Sequence, residues 1–112
     1  GKHEKEIVLR LHKDLAPIKV AFLPLSKKAP LPSLAAEIQG EIRHSYMTQY
    51  DETGSIGKRY RRQDEIGTPY CVTVDFDTPE DKKVTVRDRD SMKQERVGIS
   101  ELLDYLKEKF RG

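Results

Sequence analysis

The stretch IKVAFLPL, residues 18–25, constrains the fold most, because it is an almost unbroken apolar run with β-branched members. Such a run is typical of a strand that is covered on both faces, as in a parallel sheet. Further strands are predicted over Ser45–Glu52, Thr68–Asp77, Lys83–Asp88 and Met92–Val97. Within Thr68–Asp77, strict alternation predicts that one face is shared by Tyr70, Val72, Val74 and Phe76.

Helices are predicted between these strands. Ser33 is the predicted N-cap of the first, whose apolar face carries Leu34, Ile38 and Ile42. The sequence GSIG turns the chain into a second helix that ends near Gly67, and Ser100 is the predicted cap of an amphipathic last helix. Strands that alternate with helices and close with a hairpin indicate a mixed sheet with helices on both faces.

A chain of 112 residues accommodates one core. We interpret residues 1–16 as a lead-in strand or linker and residues 17–112 as the domain. Cys71 is the single cysteine, which excludes a disulfide framework and predicts a buried free thiol in a reducing compartment. No apolar run approaches membrane length, so no membrane partner is predicted and the predicted location is the cytoplasm.

Positive charge is concentrated locally. The net charge is only +2, yet residues 54–67 and 82–96 together hold ten of the 21 Lys and Arg residues. In the first segment, GSIGKRYRRQDEIG, two glycines precede Tyr60 and four cations predicted to be mobile: Lys58, Arg59, Arg61 and Arg62. Glycine permits tight turns and close backbone approach, and a helix start favours anions, which suits a phosphodiester backbone. A solvated basic helical turn is the alternative.

The residue patterns of catalysis are largely missing. GSIGK lacks the G-x-x-x-x-G-K-[ST] spacing of an NTP-binding loop, and GSIG alone is a weak match to the GxxG loop of KH domains. His3, His12 and His44 lack metal-ligand spacing. We therefore predict no catalytic residue and no metal site in this chain.

The RDRD segment is the second basic signal. If it stays extended, Arg87 and Arg89 point to one side and Asp88 and Asp90 to the other. Arginine only donates and aspartate only accepts, so together they could read cytosine, whose N4 donates while its N3 and O2 accept. A structural Arg–Asp ladder between neighbouring strands is the alternative.

Three blocks give the chain a family resemblance: APIKVAFLPL (16–25), GSIGKRYRRQDEIGTPYCVTVDFDT (54–78) and VTVRDRDSMKQERVGISELLDYL (84–106). They closely resemble the C-terminal anticodon-binding domain of glycyl-tRNA synthetase, a class II aminoacyl-tRNA synthetase. The resemblance implies a three-layer α/β/α fold whose five-stranded mixed sheet has the order 2-1-3-4-5, with strand 4 antiparallel to the others.

The resemblance also implies partners. These are the anticodon stem-loop of glycine tRNA, which ends its anticodon in two cytosines, and a catalytic domain in the same polypeptide, the parent being a homodimeric glycine–tRNA ligase. No cofactor is expected in this domain, since ATP and Mg would bind only the parent's catalytic domain. An accessory or dimerisation module that does not read RNA sequence is the alternative.

With this partner we assign roles to individual residues, the alternative being that some of these charges hold the sheet and a helix together. The backbone clamp is assigned to Lys58, Arg59, Arg61 and Arg62. Base reading is assigned to Arg87, Asp88, Arg89 and Asp90, with Gln94 and Arg96 lining the neighbouring strand.

Overall fold

The computed structural model describes residues 16–111, so the predicted lead-in lies outside the described residues except for Ala16, which is buried. The strands are β1 (Val20–Pro24), β2 (Thr48–Tyr50), β3 (Tyr70–Val74), β4 (Lys83–Asp88) and β5 (Gln94–Gly98). The helices are α1 (Leu31–Ile42), α2 (Ile56–Ile66), α3 (Thr78–Asp81) and α4 (Leu102–Phe110), and a 3-10 turn over Ile99–Glu101 leads into α4.

The strands form one mixed sheet in the order β2-β1-β3-β4-β5. β1 lies parallel to both β2 and β3, whereas β4 is antiparallel to β3 and to β5. The predicted strand order and the predicted reversal of strand 4 are therefore confirmed.

The two faces of this sheet are covered unequally. On one face, α1 and α4 enclose the main apolar cluster, which includes Phe22, Val72, Val86, Ile38 and Leu106. On the other face, a small cluster of Ala21, Leu23 and Cys71 packs against Ile56 and Tyr60 of α2. The result is the predicted three-layer α/β/α arrangement, with one long helix on the second face.

Two glycines shape the ends of α2. Gly54 has φ 79° just before the helix, and Gly67 has φ 84° at its end, both in the left-handed region that glycine adopts without a Cβ clash. Ser55 caps the start, since its Oγ accepts from the Lys58 backbone N–H at 3.2 Å. The predicted stop at Gly67 is confirmed, whereas Gly57 lies inside the helix and makes no turn.

Both serine caps predicted for the flanking helices are wrong. α1 begins at Leu31 with Pro32 in its first turn, and the Ser33 hydroxyl donates to the Pro30 carbonyl at 3.0 Å. Proline suits a first helical turn because its missing N–H has no intrahelical partner there. Ser100 lies in the 3-10 turn, so α4 starts one residue later than predicted and has no side-chain cap.

Strand lengths also differ from the predictions. β2 has only three residues, because the chain pairs with β1 over Thr48–Tyr50 alone. β3 ends at Val74, and Phe76 lies beyond it with 58% of its surface exposed. The prediction that Phe76 shares a strand face with Tyr70, Val72 and Val74 is wrong, since Asp75 accepts from the Asp77 and Thr78 backbone N–H groups and turns the chain into α3. Residues Thr78–Asp81, whose sequence TPED is typical of a turn, form the short helix α3.

Candidate nucleic-acid interface

The second sheet face is only partly covered by α2. The strand register places Arg87 beside Cys71 and Gln94, and Thr85 beside Arg96, so these side chains share the face that carries α2. Gln94 and Arg96 are exposed there. We call the surface formed by Thr85, Arg87, Gln94 and Arg96 the open face.

The predicted cations of α2 have three different environments. Lys58 and Arg61 are exposed and form no side-chain hydrogen bond or ion pair with residues 16–111. Arg62 is half-buried and pairs with Asp51. Arg59 is 4% exposed, and its guanidinium donates to the Pro24 carbonyl and, at 3.4 Å each, to the carbonyls of Leu25 and Asp51. The prediction of four mobile cations is therefore wrong for Arg59, which is fixed by these loops.

Asp51 organises the loop before α2. It is 7% exposed, and its carboxylate accepts from Arg62, from the Thr53 backbone N–H at 3.0 Å and from the Gln63 amide at 3.5 Å. Burial alone would raise the pKa of Asp51, but these hydrogen bonds together lower the pKa below its ordinary value. Gln63 is fully buried and also binds Gln49 at 2.9 Å, so the loop and the helix are fastened together.

Arg87 is fixed beneath α2. It is 7% exposed, and its two terminal nitrogens donate to the two carboxylate oxygens of Asp64 at 3.0 and 3.3 Å. Its guanidinium carbon lies 4.9 Å from the centre of the Tyr60 ring, and its Nη2 lies 3.1 Å from the Met92 sulfur. The hydrogen bonds with Asp64 raise the pKa of Arg87 further above its ordinary value, against the effect of burial. Arg87 therefore ties β4 to α2.

The RDRD segment is extended only as far as Asp88, so the condition for Arg87 and Arg89 to point to one side is not met. Asp88 ends β4, and its Oδ1 accepts from the backbone N–H groups of Asp90 at 2.9 Å and Ser91 at 3.2 Å. This local bonding favours a turn over a continued strand. Arg89 then binds Asp90 Oδ1 through Nε at 3.2 Å and Nη2 at 3.0 Å, and Asp90 keeps 57% of its side chain exposed.

The two site residues predicted on β5, Arg96 and Gln94, have different environments. Arg96 binds Asp75, Asp81 at 2.6 Å and the Thr85 hydroxyl at 3.3 Å. The hydrogen bond from Arg96 lowers the pKa of Asp81, and Arg96 thus links β5 to the segment after β3. Gln94 is exposed, with no side-chain hydrogen bond to the described part of the chain.

The site residues fall into two groups at opposite ends of the sheet. Lys58 and Arg96 lie at the edge where β1 and β3 end, which we call the carboxyl edge. Asp88, Arg89 and Asp90 lie at the other edge, where the Arg89 N–H bonds the Pro69 carbonyl before β3 at 2.9 Å. The open face runs between the two groups.

Phe76 is a candidate site residue that the sequence analysis did not identify, since the alternation assigned it only to a strand face. Its ring is exposed at the carboxyl edge, next in sequence to Asp75, the partner of Arg96. The alternation of apolar residues in the sequence continues through Phe76 and so gives no sign that the strand has ended. The signal that could have revealed its exposure is Asp75, whose carboxylate accepts from the backbone N–H groups of Asp77 and Thr78 in an Asx-type turn.

Metal binding, membrane crossing and thiol chemistry find the following in the described residues. Residues 16–111 contain no group of three His, Cys, Asp or Glu side chains placed to hold a metal ion. None of their helices combines the length and the apolar character needed to cross a membrane. Cys71 is a buried free thiol, as predicted, and burial raises its pKa to about 12.

The fold and this surface place the chain in a defined class. The sequence profile described as "Anticodon binding domain" matches residues 19–109, and the chain belongs to that family. The resemblance to the anticodon-binding domain of glycyl-tRNA synthetase is confirmed by its relatives. The chain is 61% identical over 108 residues to a glycine–tRNA ligase of Clostridium acetobutylicum, covering 96% of the chain and 23% of the relative. It is 57% identical over 110 residues to a glycine–tRNA ligase of Bacillus cereus, covering 98% of the chain and 24% of the relative.

These relatives are much longer than the chain, which spans about a quarter of their length. A solved structure, the RNA binding domain of threonyl-tRNA synthetase from Cryptosporidium parvum, superposes with a TM-score of 0.73 at 24% identity. The superposition covers 82% of this chain and 23% of the other, and at that identity it establishes the shared fold.

Proposed function

We propose that this domain binds the anticodon stem-loop of glycine tRNA as part of a cytoplasmic glycine–tRNA ligase, whose catalytic domain binds glycine, ATP and Mg. The open face, bordered by the exposed cations of α2, carries this proposal. A folded RNA loop displays both phosphates and unstacked bases, and the domain offers cations for the first and polar and aromatic side chains for the second.

The phosphate contacts are assigned to Lys58, Arg61 and the half-buried Arg62. Arg61 is exposed on α2 and has no ion-pair partner among residues 16–111, so it keeps its donors for phosphate oxygens. Arg59, which the sequence analysis also assigned to the clamp, is instead given the role of a positioning residue, because its donors are engaged by backbone carbonyls.

The base contacts are assigned to Arg89, Asp90 and Gln94. Asp90 offers a carboxylate that can only accept, which suits the N4 amino group of cytosine and opposes the O4 of uracil. Arg89 offers donors for the N3 and O2 of cytosine, whereas the Gln94 amide can rotate to pair with either base. Arg87, Asp88 and Arg96 act as positioning residues through Asp64, the hairpin turn and Asp75. The exposed Phe76 ring offers a stacking platform at the other end.

The experiment measures binding of the 112-residue chain to two RNA stem-loops that differ only in carrying CC or UU as the last two anticodon letters. Wild type should prefer CC, with affinity that falls with salt at a log–log slope of about −3 to −5. Arg61→Ala should weaken both stem-loops almost equally, because phosphate contacts carry no base identity. Asp90→Asn should reduce the CC preference by about 1–3 kcal/mol, since the asparagine amide can also donate to the O4 of uracil.

Lys107→Ala, an exposed substitution on α4, serves as the control and should change neither affinity nor preference. All variants alter exposed side chains, so thermal melting should show each one folded. Wild-type binding without preference for CC would contradict anticodon reading and favour an accessory module.

A further inference from the structure

Arg59 is a buried cation without a carboxylate partner among the described residues. Its guanidinium meets carbonyl oxygens only, and its buried Nε has no hydrogen-bond partner. Burying a charge is costly unless an opposite charge compensates it. Carbonyl dipoles provide part of that compensation, and an anion at the nearby carboxyl edge would add to it.

The bonds of Arg59 also bring two loops to the first turn of α2. The Leu25 carbonyl belongs to the loop after β1, and the Asp51 carbonyl belongs to the loop after β2. The loop after β1 continues from Leu25 to Lys27 and Lys28, which are both exposed. The loop with these lysines therefore lies beside the turn of α2 that carries Lys58.

Cations outnumber unpaired carboxylates in this part of the edge. Asp51 is paired with Arg62, so Glu52, which accepts from the Tyr50 hydroxyl at 2.8 Å and keeps its charge, is the acid that remains near the three lysines. Within residues 16–111, the side chains of Lys27, Lys28 and Lys58 form no ion pair or hydrogen bond. The acids at the far part of the edge, Asp75, Asp77, Glu80 and Asp81, follow β3, so the basic surface is confined to the β1–β2 side.

We infer that Lys27, Lys28 and Lys58, with Arg59 behind them, form a phosphate-binding surface for the sugar–phosphate backbone of an RNA strand. A confined cluster of like charges attracts a polyanion and gives no base discrimination. This inference rests on and extends the proposed function, since the surface would hold backbone that continues beyond the bases contacted by Arg89, Asp90 and Gln94. Lys27 and Lys28 are its new members.

The test compares wild type, the double variant Lys27→Ala/Lys28→Ala and the control Arg43→Ala/Lys107→Ala. The control removes two exposed cations from α4 and the end of α1, the helices of the opposite sheet face. Salt titrations are recorded with the CC and UU stem-loops and with unstructured poly(U). Losing about two phosphate contacts should make the log–log slope of the Lys27/Lys28 variant shallower by roughly 1.5 on every RNA. The ratio of CC to UU affinity should stay unchanged, and the control should keep the wild-type slope.

The outcomes separate this inference from the proposed function. A shallower slope on poly(U) supports the phosphate surface even when wild type shows no CC preference. Wild-type slopes on every RNA for the Lys27/Lys28 variant would overturn the surface and leave a measured CC preference standing. A change in the CC to UU ratio alone would also overturn it, because base selection is not a property of a phosphate surface.

Discussion

Asp51 shows how one side chain determines the local order of the site. Its carboxylate is buried, yet it remains charged because Arg62, Thr53 and Gln63 all donate to it.

The four cations of α2 could not be told apart from the sequence. Lys58, Arg59, Arg61 and Arg62 lie within one short segment, and no sequence pattern distinguishes the buried Arg59 from the exposed Arg61. The difference arises because the carbonyls of two loops, one after β1 and one after β2, both accept from Arg59. This is a tertiary contact, and the sequence pattern of α2 by itself carries no information about it.

The lowered pKa of Asp51 predicts how stability depends on pH. The folded-state pKa lies below the unfolded value of about 3.9, so the contribution of Asp51 is complete above about pH 5 and is lost as pH falls through the folded-state pKa. Asp51→Asn should cost about 1–3 kcal/mol at pH 7 and should flatten the acid decline. Denaturant unfolding between pH 3 and 7 measures both, with Asp77→Asn, an exposed carboxyl, as the control. An equally steep decline in Asp51→Asn would contradict the assignment.

At the scale of elements, two glycines near the start of α2 have opposite backbone conformations. Gly54 is in the left-handed region, whereas Gly57 is helical and exposed, and a Cβ added there meets nothing within 4 Å. Gly54→Ala should therefore destabilise the domain by about 1–2 kcal/mol. Gly57→Ala should stabilise it by about 0.5 kcal/mol, because alanine loses less backbone entropy in a helix.

Thermal and denaturant unfolding of these two variants measure the difference directly. The chemical change is the same in both, so each variant is the control for the other. Equal effects in the two positions would contradict the backbone geometry at the start of α2.

The elements themselves were largely predictable. The apolar run before Pro24 and the alternation around Val72 reflect burial inside a sheet, and that burial decides strand identity and order. The boundaries were less predictable, because local polar bonds decide them: Asp75 ends β3 before Phe76, and Asp88 turns the chain before Arg89. The positions of Phe76 and Arg89 therefore depend on hydrogen bonds from the backbone to these carboxylates, which compete with strand pairing.

At the scale of the whole molecule, the chain covers about a quarter of its glycine–tRNA ligase relatives. We expect it to show no glycine-dependent ATP–pyrophosphate exchange on its own, because its sequence lacks an ATP-cradling loop and its described residues hold no metal-ligand group. The exchange assay is run beside a heat-denatured sample of the same chain. Exchange clearly above that background would contradict the assignment of catalysis to another part of the ligase.

The open face has a consequence for how this domain can diversify. Its exposed members, such as Gln94, and the neighbouring Arg61 contribute nothing to either apolar cluster, and surface substitutions of this kind usually change stability by less than about 0.5 kcal/mol. Arg87 and Asp64 fix the sheet and helix from below, whichever side chains stand at the surface. One unchanged scaffold can therefore exchange the residues that we propose to contact RNA. On that proposal, a lineage can alter its choice of nucleotide without first acquiring a reserve of stability.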